Sequence, residues 1–214
     1  MKNKNKLPEV IPVFPLSNFI MFPHTTVPLN IFEPRYIQMI DDCMTNDRML
    51  GMIQPKKTGS LESPDLYNIG CMGKITSFNE TSDGRYLIVL NGISRFKILS
   101  ENKSEKLYRI CKIDLDDFEN DLVEHNKEIK FKDLEIIFKN LKSLFEKQGY
   151  AINWKDLEKQ TLDQVINTLS MASPFSLEEK QILLESFDLK DRQNKLEQIL
   201  KTYVLDKFSN STIQ

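Results

Sequence analysis

Glycine is scarce in this 214-residue chain, with seven residues in all. A nucleotide-hydrolysing site needs a glycine-rich loop whose backbone donors cradle phosphate, followed by Lys and Ser or Thr. The nearest approach is Gly51-Met52-Ile53-Gln54-Pro55-Lys56-Lys57-Thr58, which lacks the second glycine. Pro55 also removes a donor where the cradle needs one, so the lysines read as a solvated loop. Histidine is scarcer still. His24 and His125 lie far apart with no cysteine or carboxylate at ligand spacing, so a zinc site of three or four ligands is not indicated. Cys43, Cys71 and Cys111 form no CxxC pair, and an odd, scattered set fits reduced, buried thiols better than a disulfide framework.

Long apolar runs are missing as well. None approaches the ~18 residues of a membrane-spanning helix. Behind the lysines of the first six residues, Pro8, Pro12 and Pro15 interrupt any signal-like stretch, so the expected location is the cytoplasm. A basic excess is also absent: 29 Lys+Arg face 31 Asp+Glu, a formal net charge of −2. Phosphate neutralisation usually requires a surplus of cations, which weighs against nucleic acid as a partner. No G-x-S-x-G elbow occurs, and Ser94 in Gly92-Ile93-Ser94-Arg95-Phe96 follows a strand pattern instead. Spacing alone does not exclude a Ser-Lys dyad. The adjacent pairs Asp41-Asp42 and Asp116-Asp117 point their side chains apart and read as solvated surface.

What is present divides near residue 118. Upstream, short apolar runs alternate with turn residues: Ile11 to Leu16, Met49 to Gln54, Tyr67 to Phe78, Tyr86 to Leu90, Ile93 to Leu99 and Leu107 to Leu115. Asp83-Gly84 predicts a hairpin with both central residues at positive φ, and Asn91-Gly92 a turn or a bulge. These runs predict a small, closed or nearly closed β-barrel. One helix interrupts it, opened by Pro34 and carrying Tyr36, Ile37, Ile40, Cys43 and Met44 on one face. Downstream the period is helical. Leu134, Ile137, Phe138, Leu141, Leu144 and Phe145 form one stripe, and Leu162, Val165, Ile166 and Leu169 a second with Asp163 placed to cap it. Ser176-Leu177-Glu178-Glu179 reads as a capping box opening a helix that carries Ile182, Leu183 and Phe187. Leu196, Ile199, Leu200, Val204 and Leu205 supply the last stripe. The expected class is α+β: a β subdomain over 8–117 and a bundle of about four helices over 118–208.

The most distinctive stretch runs from Phe14-Pro15-Leu16 through Phe22-Pro23-His24 and Pro28-Leu29 to Ile31-Phe32-Glu33-Pro34-Arg35-Tyr36. With Tyr67-Asn68-Ile69-Gly70-Cys71-Met72-Gly73, Asp83-Gly84-Arg85-Tyr86, Gly92 to Ile98 and Met171 to Ser176, it resembles the amino-terminal substrate-recruiting domain of the Lon ATP-dependent proteases, and their stand-alone relatives in particular. His24 stands where that family usually has glycine, so the turn is expected to hold a left-handed residue or to be rebuilt. The resemblance implies a PUA-like barrel followed by helices, and a non-catalytic module that binds unfolded or tagged polypeptides for a protease or chaperone. No cofactor, no metal and no membrane partner are expected. An RNA-binding PUA-like module, and a hydrolase with an unrecognised site, are the competing readings.

The candidate peptide-binding residues are Phe19, Met21, Phe22, Phe32, Arg35, Arg85 and Arg95. Each arginine is weighed as a structural ion pair against a groove-lining group that reads carbonyls or a carboxylate. Phe19, Ile20, Met21 and Phe22 cannot all point inward on one strand, so part of that run is expected to pack against the helices or to form an exposed patch. An extended partner could also add to a sheet edge.

Overall fold

The computed structural model describes residues 7–59, 64–123, 135–147, 154–157 and 159–210. The chain divides into two compact units, Met1–Leu122 and Val123–Gln214. The first is built on strands β1 (Val10–Pro15), β2 (Thr26–Ile31), β3 (Met49–Ile53), β6 (Ile69–Glu80), β7 (Tyr86–Asn102) and β8 (Arg109–Asp114). Their order is β2-β7-β6-β3-β1-β8, and β7 pairs with β8 as well. Five of the six therefore form a ring of strands, and β2 alone hangs on one side of β7. The β1–β3 pair is parallel and the others are antiparallel, so the sheet is mixed. A short separate ribbon pairs β4 (Pro55–Gly59) with β5 (Pro64–Leu66).

The ring can close because β7 runs for 17 residues and bends on the way. Its first half pairs with β2 and β6, while its last part pairs with β6 and β8. The bend falls at Asn91-Gly92: Met72 faces Ser94 but Gly73 faces Gly92, which leaves Ile93 as an extra residue. Of the two expectations for that dipeptide the bulge is the one realised, because a bulge bends a strand without ending it. Gly92 also allows a close approach. A Cβ there would stand 2.3 Å from the carbonyl oxygen of Phe22. Inside the ring, Ile11, Val13, Ile53, Met72, Phe96, Cys111 and Ile113 form one buried cluster.

At the β6–β7 hairpin, Gly84 takes a positive φ of 77° and Asp83 does not. The connection spans residues 81–85, closed by Gly84 N–H to Thr81 O and Thr81 N–H to Arg85 O. It is thus a longer turn ending in one left-handed residue, not the two-residue turn expected. Helix α1 (Pro34–Met44) buries Tyr36, Met39, Ile40 and Cys43, with proline at its start.

The second unit holds α2 (Glu135–Lys147), the short α3 (Trp154–Leu157), α4 (Leu162–Ala172), α5 (Leu177–Leu184) and α6 (Leu189–Asn210). Ile137, Leu141, Leu144 and Phe145 are buried, as are Leu162, Val165, Ile166 and Leu169, and Leu196 and Leu200. Leu134, and the side chains of Phe138, Val204 and Leu205, lie outside the described residues. The capping box at Ser176 forms: its hydroxyl accepts from Glu179 N–H at 3.1 Å and Glu179 accepts from Ser176 N–H at 2.8 Å. In α4 the cap is Thr161, boxed with Gln164, and Asp163 is buried inside the first turn. The helix begins two residues earlier than an Asp163 cap would require. Ile182 and Phe187 are 50% and 82% exposed, so neither belongs to a buried stripe. The helix stops at Leu184, which throws Phe187 beyond it.

Candidate functional site

The expected peptide-binding residues fall into two groups at opposite ends of β2. Phe19, Met21 and Phe22 precede the strand, and Phe32 follows it. Six extended residues span roughly 20 Å, so the groups do not meet.

The first group is buried structure. Residues 19–25 form no strand, so side-chain alternation does not apply to them. Ile20, Met21 and Phe22 are all buried, at 4%, 1% and 0% exposed, and only Phe19 is half-exposed. Backbone bonds clamp this loop to β7. Gly92 N–H donates to Thr25 O at 2.8 Å, and His24 N–H donates to Gly92 O at 3.0 Å. His24 takes a φ of 58°, so of the two expectations for this turn, a left-handed residue or a rebuilt turn, the left-handed residue is the one realised. Its Nε2 lies 2.8 Å from the carbonyl oxygen of Asp121. A carbonyl can only accept, so that nitrogen bears the proton.

Arg95 belongs to the same buried assembly. Its side chain is 1% exposed and meets Asp121, which sits in the 3-10 turns of Asp116–Leu122. Arg95 Nε donates to Asp121 Oδ2 at 2.8 Å and Nη2 to Oδ1 at 2.9 Å, a fork-to-fork pair. The Arg95 backbone N–H donates to the same carboxylate at 3.0 Å, and the Phe118 ring lies 4.5 Å from the guanidinium carbon. Met21, Phe22 and Arg95 therefore offer a partner no surface; their burial makes them a lock between the loop, β7 and the 3-10 turns.

The second group is open. Phe32 is 63% exposed at the end of β2. Ile31 faces Tyr86, so continuing the register puts Phe32 beside the Arg85 end of β7. The Arg85 side chain, about half exposed, pairs with Asp83 at 2.9 Å. Arg35, in the first turn of α1, is also about half exposed. Its Nε donates to Glu33 at 2.9 Å, and its guanidinium carbon lies 4.5 Å from the centre of the Tyr36 ring. Exposed pairs of this kind contribute only ~0–1 kcal/mol, so a partner's carboxylate or carbonyl can replace the resident acid at little cost.

Two apolar side chains at this end were not anticipated. Leu87 is 44% exposed, and Phe78 is 38% exposed with its ring 4.8 Å from that of Tyr86. Tyr86 O–H donates to Asp41 of α1 at 2.9 Å, a bond that also raises its pKa. In the run Tyr86-Leu87-Ile88-Val89-Leu90 every residue is apolar, so no polar alternation reveals which ones face outward.

Strand addition is restricted here. β2 is the one strand of the six-stranded sheet with a single partner. Thr25 O accepts from Gly92, so Val27, Leu29 and Ile31 turn their backbone groups toward β7. The missing N–H of Pro28 then falls on the outer edge, which tolerates proline there and interrupts any added ladder.

The remaining chemistry is quiet. Cys43, Cys71 and Cys111 are buried and free. Burial pushes the Cys43 thiol up to about 12 and the Cys111 thiol up to about 11, the reverse of an activated nucleophile. Among the described residues no three His, Cys, Asp or Glu side chains gather closely enough to hold a metal ion. No described helix is long and apolar enough to cross a membrane.

A ring of strands carrying one outer strand and one inserted helix, with a separate helical unit, is the fold of Lon N-terminal domains. The structure superposes on a Lon N-terminal domain protein from Xanthomonas campestris with a TM-score of 0.62 at 20% identity, covering 90% of this chain and 97% of that one. It matches the N-terminal domain of a Mycobacterium avium complex Lon protease equally well, with a TM-score of 0.62 at 16% identity, covering 90% of this chain and 98% of that one.

Residues 10–202 match the family described as the ATP-dependent protease La (LON) substrate-binding domain, and the chain belongs to that family. It is 30% identical over 206 residues to the Lon protease of Syntrophus aciditrophicus (strain SB), a match covering 87% of this chain. Lon protease 2 of Myxococcus xanthus is 27% identical over 208 residues, covering 92% of this chain. In both cases the chain spans 24% of the relative's length.

Proposed function

We propose that this chain is a non-catalytic polypeptide-capturing module that holds unfolded or tagged segments at the Phe32 end of its sheet for proteolysis or quality control by another machine. The observation that carries the reading is the exposure of Phe32, with Leu87 exposed on the same face when the β2–β7 register is continued, and with two weakly committed arginines, Arg85 opposite it in that register and Arg35 three residues on in the chain. Exposed aromatic residues and arginine are the types that interface hot spots are enriched in. Phe32 and Leu87 bury apolar side chains of the partner; the arginines take its carbonyls or carboxylates. Met21, Phe22 and Arg95 fix the frame and do not touch the partner.

In this reading the ring of strands is a PUA-like barrel over 8–117, the helices over 118–208 form a bundle, and the module works in the cytoplasm without a cofactor. Membership of the LON substrate-binding family supports the capture of protein substrates. The buried, protonated thiols support the absence of chemistry of its own.

The test is fluorescence anisotropy with a permanently unfolded, carboxymethylated protein and no nucleotide. Phe32→Ser is expected to weaken binding at least about tenfold, the scale of losing a hot-spot aromatic. Leu99→Ser, an exposed position on the far half of β7, is expected to leave it unchanged. Binding that is absent in the wild type, or indifferent to Phe32, refutes the capture surface.

A further inference from the structure

A second site lies elsewhere in the first unit. β1 and β3 pair only from Val13–Gly51 onward, and ahead of that point they part. A cavity of about 250 Å³ opens there under the C-terminal turn of α1. Val10, Ile11 and Met49 give it apolar walls, and Asp42, Asp47 and Tyr108 give it polar ones. Pockets for cofactors and drug-sized ligands run to roughly 300–1,000 Å³, so this one is sized for a single side chain.

The polar wall is negative. Tyr108, 8% exposed, donates its O–H to Asp42 Oδ2 at 2.7 Å. That bond first, and Lys106 second, hold the Asp42 carboxyl below its ordinary value. Burial and then Asp42 raise the Tyr108 phenol, so it stays a neutral donor, and burial keeps Cys43 in the same wall a neutral thiol. Asp47 adds a second, exposed carboxylate. The last turn of α1 carries no basic residue.

One cation already rests on this wall. Lys106 Nζ lies 3.0 Å from Asp42 Oδ2, with the lysine side chain 46% exposed and the aspartate 34%. The carboxylate therefore accepts an ammonium in this geometry, held by a surface pair that costs little to exchange.

From the parting strands, the apolar walls and the carboxylate with its exchangeable ammonium, we infer that this cavity is a subsite for a lysine or arginine side chain of an extended polypeptide, whose stem packs on Val10, Ile11 and Met49 while its charge displaces Lys106 from Asp42. This rests on the capture function and adds a preference to it: segments in which a basic residue is flanked by apolar ones. Long basic side chains bury an apolar stem and keep a charged tip, the combination that the walls provide.

The experiment uses the full chain and two capped peptides, Ser-Leu-Val-Lys-Val-Leu-Ser and the same peptide with norleucine in place of lysine. A purely apolar surface favours norleucine. The subsite predicts the opposite, lysine ahead by about three- to tenfold at low salt, with the gap closing as salt screens it. Asp42→Asn is expected to abolish the preference. Lys106→Met, which removes the resident ammonium and leaves the wall intact, is expected to tighten the lysine peptide about two- to fivefold and leave the norleucine peptide unchanged. Methyl NMR signals of Val10, Ile11 and Met49 are expected to move with the lysine peptide. Equal binding of the two peptides, or a Lys106→Met effect common to both, overturns the subsite and leaves the capture function standing. Binding of neither peptide overturns both.

Discussion

Replacing Asp121 by Asn tests the lock between β7 and the 3-10 turns. The side chains of Arg95 and Asp121 are 1% and 10% exposed, so water does little to solvate a guanidinium that has lost its counter-charge. Arg95 sends three hydrogen bonds to that carboxylate, two from its guanidinium and one from its backbone. Removing one partner of a buried pair costs ~3–5 kcal/mol, whereas replacing both with apolar side chains is often neutral or stabilising. Against a total stability of about 5–15 kcal/mol, the single change takes a large fraction. For a unit of this size each kcal/mol is worth about 3–5 °C, so the midpoint is expected to fall by roughly 10–20 °C. Arg95→Met with Asp121→Leu is expected to recover most of the loss, since a thioether still packs on the Phe118 ring. Thermal unfolding followed by far-ultraviolet circular dichroism reads the midpoint, and urea unfolding by the same signal reads the free energy. The only tryptophan, Trp154, lies in the second unit and would report the wrong part of the molecule. A loss under about 1 kcal/mol for Asp121→Asn, or a double variant as unstable as the single one, refutes the assignment of Arg95 to a buried structural pair.

Gly92→Ala is expected to destabilise by about 1–3 kcal/mol or more, because the new methyl meets the Phe22 carbonyl, backbone that cannot swing aside; an unchanged unfolding midpoint would contradict the close approach. His24→Ala keeps the left-handed φ and loses the ring's bond to Asp121, whereas His24→Gly loses the bond and sheds the strain. Glycine is expected to be the less damaging by about 1 kcal/mol, and alanine outperforming it would show that the turn is unstrained. The three thiols should resist a thiol reagent at pH 8 until denaturant is added, and early labelling of Cys43 would refute its burial. With folded pKa values above the ordinary thiol value of 9.0, Cys43 and Cys111 contribute stability that is complete below that pH. It starts to be lost as the unfolded thiols ionise above that pH, and the loss is complete once pH has risen through about 11 to 12, so urea midpoints should fall from pH 9 up to there.

Local signals were legible where one residue type has one geometric use. Ser176 with Glu179 closed the expected capping box, and Pro34 opened α1. Gly92 fitted both a turn and a bulge in sequence; only the partner strand, where Met72 and Gly73 skip Ile93, decides between them. Strand β2 went unseen because Pro28 disguises it, and the proline is tolerated only through β2's position at an edge. The site divided along the same line. Phe22 and Phe32 are the same residue in similar proline-flanked surroundings, yet one is 0% and the other 63% exposed. What separates them is Gly92 beneath the first, a contact across 70 positions of chain. Arg95 meets Asp121 at a separation of 26 residues, beyond the reach of any local pattern.

The capture surface is tested most directly by photo-crosslinking. A benzophenone side chain is placed at Phe32 or, separately, at Leu99, both exposed and on different parts of the sheet. The unfolded carboxymethylated protein should crosslink efficiently to the chain carrying the probe at position 32 and weakly to the one carrying it at position 99. Equal crosslinking from both positions, or capture only from position 99, would contradict a partner held at the Phe32 end.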